Sequence, residues 1–486
     1  MRSLLLGLCL GCLPTGALWA GGVETGEQGA RATGRAGAYT VKADDLSAIS
    51  FNPAGLARLR GTRLYYSHRL TVSDIEYRRA RTLDWSEALA GIPVMVDFAH
   101  VENARPVFPL GIMAAVSTDF GWKDVTLAAG VFPPPGTGAA SYPRNGAQKY
   151  MLTDWEIYLL YYTLAAGWRV SDWFGVGVSL QWVDIPRMQL TMVVDGKVTP
   201  LVVNPRESLF DFAARVEGQD RSMFNAILGV WLRISPRWEV AAAAQLLPMS
   251  PRIKGRLHIE PLQMNLAEEE ISITRNGVPD DRVTFRFDLP MKLRAGVRTF
   301  YPEHGPELFD VELDVQYERW SVVDRFSLDA NVTTEILGNQ IYLGRIDIEK
   351  HWKDTVAVRL GGDLQLVPEQ WWLRAGVFYE SPAVNRPYAY VDFLSFHRVG
   401  LSAGATYRFR SLDLSASYTA VLQPILTLGE DESRIYQQVP GSPCKPPYTD
   451  PESCEAHYLG TPGVPVNAGT YRAYYHLFNL GISATF

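Results

Sequence analysis

The C-terminal stretch LFNLGISATF, residues 477–486, decides the fold. Phe478, Leu480, Ile482, Ala484 and Phe486 fall on one face, and Leu477, Asn479, Gly481, Ser483 and Thr485 on the other. Working outward, Leu412, Leu414, Ala416, Tyr418 and Ala420 alternate with Asp413, Ser415, Ser417 and Thr419. Before that, Val399, Leu401, Ala403, Ala405, Tyr407 and Phe409 alternate with Arg398, Gly400, Ser402, Gly404, Thr406 and Arg408. This is period two sustained over about ten residues, whereas strands of soluble proteins cluster near five or six. A bilayer needs about nine to eleven tilted residues per strand. The lengths therefore predict strands that cross a membrane.

Composition agrees. The 486 residues are 47% hydrophobic and 20% charged, too apolar for a disordered chain. A net charge of −6 gives no basic excess for nucleic acid. Outside the N-terminus no apolar run is long enough for a spanning helix, and alternating strands average to a mean hydropathy near zero, here −0.05. Period-two segments recur at 62–74, 107–119, 122–132, 155–170, 173–186, 222–235, 237–250, 282–300, 306–323, 354–367, 369–382, 396–410, 411–427 and 471–486, fourteen in all. Links of five residues or fewer alternate with links from about a dozen to more than forty. Short turns on one rim and long loops on the other mark a bacterial outer-membrane barrel. Trp122, Trp173, Trp238, Tyr301 and Trp371 lie at or beside the short turns, where an interfacial ring is favoured. The fold class expected is all-β: a fourteen-stranded antiparallel transmembrane barrel over residues 62–486.

The first twenty residues read as a secretory signal: Arg2, an apolar core over 4–13, and a cleavage region at Ala20 to Gly22. A lipoprotein site at Cys12 is the weaker alternative. Removing the signal removes Cys9 and Cys12 and leaves Cys444 and Cys454 in a Pro-rich loop, an exported pair best read as a disulfide rather than half a metal site.

Residues 21–61 precede the first strand and are rich in small side chains. Gly34, Gly37 and Ala38, then Ala43-Asp44-Asp45, Ser47-Ala48 and Asn52-Pro53-Ala54-Gly55-Leu56, resemble the N-terminal plug of the FadL/OMPP1/TodX family of outer-membrane transporters for long-chain fatty acids and aromatic hydrocarbons. Gly130-Val131-Phe132 running into Pro135-Gly136 extends the resemblance; Phe51 and the tripled Pro133–Pro135 depart from it. The resemblance implies a hatch inside the lumen at 21–61, with gating residues Asn52, Pro53, Ala54, Gly34 and Gly37. It also implies a kink of the third strand at Phe132, Pro133, Pro134, Pro135 and Gly136, making a side window for ligand. A phosphate-loop meaning for Gly29 to Gly34 fails, because Arg35-Ala36 stands where Lys-Ser/Thr is needed.

The inward face separates a carrier of apolar molecules from a polar porin. Ile157, Leu159, Tyr161, Ile227, Trp231, Leu247, Met249 and Leu477 fall opposite the lipid face and are expected to bind ligand or to pack on the plug. Lys292, Arg294 and Arg359 also point inward, where they would meet a carboxylate head group or pair with wall acids such as Asp310, Glu312 and Asp363. No HExxH and no G-x-S-x-G elbow occurs among the motifs, so an outer-membrane lipid-acting enzyme is the weakest alternative. The expectation is a monomer in the outer membrane of a Gram-negative bacterium, without cofactor, metal or nucleic acid. It passes fatty acids or aromatic hydrocarbons passively, and Phe486 signals to the barrel-assembly machinery. A porin for polar solutes is the runner-up.

Overall fold

In the computed structural model the chain is described over residues 28–84, 94–134, 137–195, 211–262, 271–302, 306–336, 339–436 and 465–486. Fourteen antiparallel strands close on themselves. They are β1 (Arg63–Arg79), β2 (Val107–Thr118), β3 (Val125–Phe132, resuming at Gly138–Ser141), β4 (Asp154–Ser171), β5 (Phe174–Asp195), β6 (Asp211–Ser235) and β7 (Trp238–Gln245, resuming at Arg252–Pro261). The ring continues through β8 (Arg282–Arg286, then Lys292–Tyr301), β9 (Phe309–Glu318), β10 (Thr355–Val367), β11 (Trp371–Glu380), β12 (Arg398–Phe409), β13 (Leu412–Leu422) and β14 (Gly469–Thr485). β14 pairs with β1 from Arg63↔Thr485 to Arg79↔Gly469, so no edge is left at the seam. Two backbone hydrogen bonds between Thr62 and Phe486, 2.9 and 3.2 Å, finish that seam.

The alternation sorts the side chains as period two requires. Leu164, Leu180, Phe224 and Leu480 are 60–70% exposed on the outer face, while Thr163, Ser179, Asn225 and Asn479 beside them are buried inward. In solution such an outer face would aggregate; in hydrocarbon it is the solvated face. Trp122, Trp173, Trp238, Tyr301 and Trp371 are all exposed at the short-turn rim.

Two features differ from the sequence reading. β5 runs 22 residues and β6 runs 25, well past 186 and before 222. Above the bilayer these extensions pair with each other, Asp195↔Asp211, and carry charges that hide the alternation. A hairpin, Arg325–Ile336 with Asn339–Glu349, also occupies the connection between β9 and β10, which the sequence reading treats as loop. Residues 1–20, Cys444 and Cys454 lie outside the described residues, as do Pro135 and Gly136.

The N-terminal segment folds inside the barrel. It comprises α1 (Ala30–Gly34), α2 (Ala48–Phe51) and a 3-10 turn, Pro53–Arg58. α1 packs on β11 to β14 and β1; the 3-10 turn packs on β3 to β6. Leu59 to Thr62 lead directly into β1, so the hatch is covalently continuous with the wall.

Candidate functional site

β8 serves as a ruler down the lumen, because inward side chains recur every second residue. Lys292 lines an apolar cavity toward the long-loop rim. Arg294 Nη1 donates to the Ser50 carbonyl of the hatch, 3.0 Å, and its guanidinium lies 4.9 Å over the Phe51 ring. Gly296 lies against Val41, whose Cγ2 would stand 2.9 Å from an added Cβ. Arg298 reaches a polar cavity toward the short-turn rim. One strand thus crosses three layers: apolar cavity, hatch, charged vestibule.

The apolar cavity spans about 830 Å³ of space between atoms, part of it open to solvent. Its wall is aromatic: Trp155 and Phe393 meet at a tilt of 52° with centroids 4.7 Å apart, and Phe285 lies 6.0 Å from both Phe287 and Phe326. Polar groups are few and paired. Lys292 Nζ faces Glu318, 3.4 Å, and Asp392 holds Lys350 Nζ at 2.5 Å. Burial pulls the Lys350 ammonium below its ordinary value, and Asp392 pulls it back. Lys350 also lies 4.0 Å over the Tyr390 ring.

Of the inward residues singled out in the sequence, Ile157, Leu159, Tyr161 and Met249 line this cavity. The others sit elsewhere. Trp231 packs with Val41, Ala54 and Ala241, against the hatch, with the Arg58 guanidinium 5.0 Å over its ring. Ile227 and Leu477 are buried but outside the cavity lining. Leu247 is 47% exposed, because regular pairing of β7 stops at Gln245 and its alternation is lost there. Arg359 donates to the Ala36 carbonyl, 3.1 Å, and to Glu380, 3.3 Å, so like Arg294 it is held at the hatch. Sequence reasoning missed Phe285 and Phe287, which lie in the predicted strand 282–300 but were not assigned to the lumen, and Phe326 and Phe393, which come from stretches read as loop.

The hatch is clamped by charge. Arg35 is fully buried; Nη1 donates to Asp310 and Asp363, 2.6 and 2.7 Å, Nη2 to Glu312, 3.0 Å, and Nε to the Ala38 carbonyl, 2.9 Å. The acids of β9 also accept hatch backbone amides: Tyr39 and Thr40 donate to Asp314, 2.9 and 2.8 Å, and Val41 and Lys42 to Glu312, 2.7 and 3.1 Å. Lys42 Nζ pairs with Asp310. The wall acids noted in the sequence therefore serve the hatch cations Arg35 and Lys42.

On the opposite wall the fit is steric. Gly167, Gly177 and Gly229 are register partners across β4, β5 and β6. A Cβ on Gly177 would lie 2.2 Å from the Pro53 carbonyl carbon, and one on Gly229 would lie 2.0 Å from Asn52 Oδ1. Only hydrogen at these positions lets the 3-10 turn lie flush. Asn52 Nδ2 donates to Thr40 O, 2.9 Å, and to Val230 O of the wall, 3.1 Å, while Oδ1 accepts from Ala54 N, 3.1 Å. Ala54 is buried against Trp231. Gly34 lies close to Gly404, and Gly37, with φ 79°, turns the chain between α1 and Tyr39.

β3 is broken beside the cavity. Its ladder to β2 ends at Ala114↔Val131, and its ladder to β4 passes from Phe132↔Tyr161 to Gly138↔Ile157. Proline offers no ladder donor, which explains the break at Pro133. Phe132 packs edge-on to Tyr161, 5.6 Å, Pro134 lines the cavity, and Gln28 donates to the Pro133 carbonyl.

Residues 11–442 match the family described as outer membrane protein transport protein (OMPP1/FadL/TodX). Among solved structures, a Pseudomonas aeruginosa FadL homologue superposes with TM-score 0.74 at 16% identity, covering 96% of this chain and 100% of that one. The P. putida toluene transporter TodX superposes with TM-score 0.60 at 14% identity, covering 95% and 99%. The Ralstonia pickettii toluene transporter TbuX gives 0.59 at 13%, covering 95% and 98%. No curated protein matches the chain in sequence.

Proposed function

The chain belongs to the OMPP1/FadL/TodX family of outer-membrane transport proteins, and from that premise we propose how its lumen takes up hydrophobic molecules. It is a channel of the Gram-negative outer membrane and not an enzyme. One observation carries the proposal: the wall of an aromatic-lined cavity includes Lys292, one inward step along β8 from Arg294, which is bonded to the hatch. Burying 150–250 Å² of an aromatic ring there is favourable by about 4–6 kcal/mol at 25 cal/mol per Å². A sugar gains none of this and meets a closed lumen, which argues against a polar porin.

In this scheme Ile157, Leu159, Tyr161 and Met249 with the Phe285–Phe326 cluster hold the ligand. Residues 21–61 act as the hatch and 62–486 as the barrel, with Asn52, Pro53, Ala54, Gly34 and Gly37 seating the hatch. Below the hatch lies the charged vestibule of Arg58, Glu239 and Arg298. An apolar molecule driven through that layer would trade apolar contacts for charged ones, so the break in β3, which borders the cavity at Pro134, is the favourable exit. Movement is passive and the protein acts as a monomer.

The test is uptake by cells that lack the chromosomal copy and carry this chain or an empty vector. Labelled toluene, labelled palmitate and a labelled disaccharide are measured in parallel. Faster entry of either hydrophobic compound, with unchanged disaccharide entry, supports the proposal. Faster disaccharide entry alone replaces it with the porin.

A further inference from the structure

We propose that the outward face of β5 to β8, just above the apolar band, binds the phosphates of an outer-leaflet glycolipid of the lipopolysaccharide class through Arg187, Arg221, Arg252, Lys254 and Arg286. The four arginines come from four successive strands and stand at one height. Counted from the short-turn rim, Arg187 lies 14 residues from Trp173, Arg221 14 from Ser235, Arg252 14 from Trp238 and Arg286 15 from Tyr301. At about 3.3 Å per residue and a tilt near 45°, such a length climbs about 33 Å, against a hydrocarbon core of about 30 Å. The cations therefore form a row at the level of the outer head groups. Beneath them the wall is apolar, with Trp182, Phe224, Leu246 and Leu293 exposed. Trp182 marks the boundary, its Nε1 donating to the Arg221 carbonyl, 2.8 Å.

All five side chains are exposed, and the strand register sets like charges opposite one another. Arg252 pairs with Arg286, and Arg256 with Arg282, across β7 and β8. Like charges directly opposed on one face of a sheet repel. Acids offset only part of this. Arg286 meets Asp329 at 3.0 Å, Arg256 meets Asp281 at 3.7 Å and Arg282 meets Asp280 at 2.9 Å, while Arg221 comes no closer than 3.9 Å to Asp184. Asp220 accepts the backbone amide of Arg252, 2.8 Å, not its guanidinium. Among the described residues, Arg187, Arg252 and Lys254 have no acidic oxygen within 4.0 Å. The far wall differs: Arg472, 14 residues from Phe486, is matched by Glu76 at 3.3 Å.

A row of guanidinium forks suits phosphate oxygens, which accept two parallel N–H bonds from one arginine. Its place on the wall selects a phosphate carried by a lipid, because acyl chains of the same molecule then lie on Phe224 and Leu246 below. The reverse face of these strand segments is buried at Ile253, Phe285 and Phe287, and the two phenylalanines line the cavity. A glycolipid seated outside thus braces the cavity wall from behind. The surface does not depend on which molecule the cavity carries.

The experiment titrates the purified, delipidated full chain in detergent with bisphosphorylated lipid A, with lipid A stripped of both phosphates, and with phosphatidylglycerol. Native mass spectrometry counts the copies bound. Wild type should hold bisphosphorylated lipid A at least tenfold more tightly than either other lipid. Arg252→Gln combined with Lys254→Gln should weaken that binding by about tenfold or more, whereas Arg472→Gln on the far wall should leave it unchanged. Heat-modifiable migration on gels confirms that each variant keeps its barrel. Equal retention of the dephosphorylated lipid, or unchanged retention by the folded double variant, overturns the proposal. Equal retention of phosphatidylglycerol overturns it in favour of an unselective anionic-lipid surface. Displacement of lipid A by inorganic phosphate at matched phosphate concentration overturns it in favour of a soluble anion.

Discussion

Replacing Arg35 by Met tests whether charge holds the hatch shut. Arg35 is fully buried and donates to Asp310, Asp363 and Glu312 at 2.6, 2.7 and 3.0 Å. Removing one partner of a buried ion cluster costs about 3–5 kcal/mol, because the remaining charges stay desolvated. Lys42 and Arg374 still serve Asp310 and Asp363, so the uncompensated group is mainly Glu312, and the lower limit is the better guide. The cost falls on the docked hatch alone, since an undocked hatch lets water reach the acids. At 1.4 kcal/mol per tenfold, the undocked population should rise by about two orders of magnitude. The assay is conductance in planar bilayers together with cell sensitivity to a large polar antibiotic, with heat-modifiable migration confirming an intact barrel. Arg35→Met should open a channel that is silent in wild type, and adding Glu312→Gln should close much of it again, a coupling that independent sites would not show. A folded Arg35→Met barrel as tight as wild type would refute the clamp.

Gly177→Val places a side chain where Pro53 lies 2.2 Å from the Cβ position; the hatch should lift, raising polar leakage while the barrel folds. Asn52→Ala removes three hydrogen bonds, each contributing about 0.5–1.5 kcal/mol; uptake of toluene or palmitate should fall at matched surface levels, and unchanged uptake with unchanged leakage would remove Asn52 from gating. Phe285→Ala in the cavity wall should weaken binding of a hydrophobic fluorescent probe by roughly tenfold or more, from the loss of about 1.5–3 kcal/mol of apolar burial; an unchanged affinity would move the ligand elsewhere. A cysteine at exposed Asp431, in the long connection before β14, should react with an impermeant maleimide on intact cells, and one at exposed Asp172 should not; the reverse would invert the topology.

The barrel was legible because its physical signal is local. A side chain facing lipid must be apolar every second residue, and Phe478, Leu480 and Ile482 say so without knowledge of their neighbours. Alternation fixes the face but not the depth. Ile157 and Trp231 share the inward face, yet one lines the cavity and the other meets the hatch, because depth depends on strand stagger. Leu247 fails for a different reason: the strand stops before it, so parity no longer applies. The clamp was hidden by distance along the chain. Asp310 and Glu312 stood out as wall acids, but nothing near them identifies Arg35, 275 and 277 residues away, as the partner. The hairpin at 325–349 escaped because a strand pair above the membrane carries no lipid face.

The direct run from Leu59 through Thr62 into β1 has a kinetic consequence. A hatch that leaves its seat stays tethered within a few residues of it, so its return is unimolecular, at an effective concentration in the millimolar range or above for a short flexible link. Opening is then a brief excursion with automatic reclosure, independent of how many copies the membrane holds. A free peptide of residues 28–58 could not compete with the tethered segment at micromolar concentration. It would seal only a barrel whose own segment had been cut away.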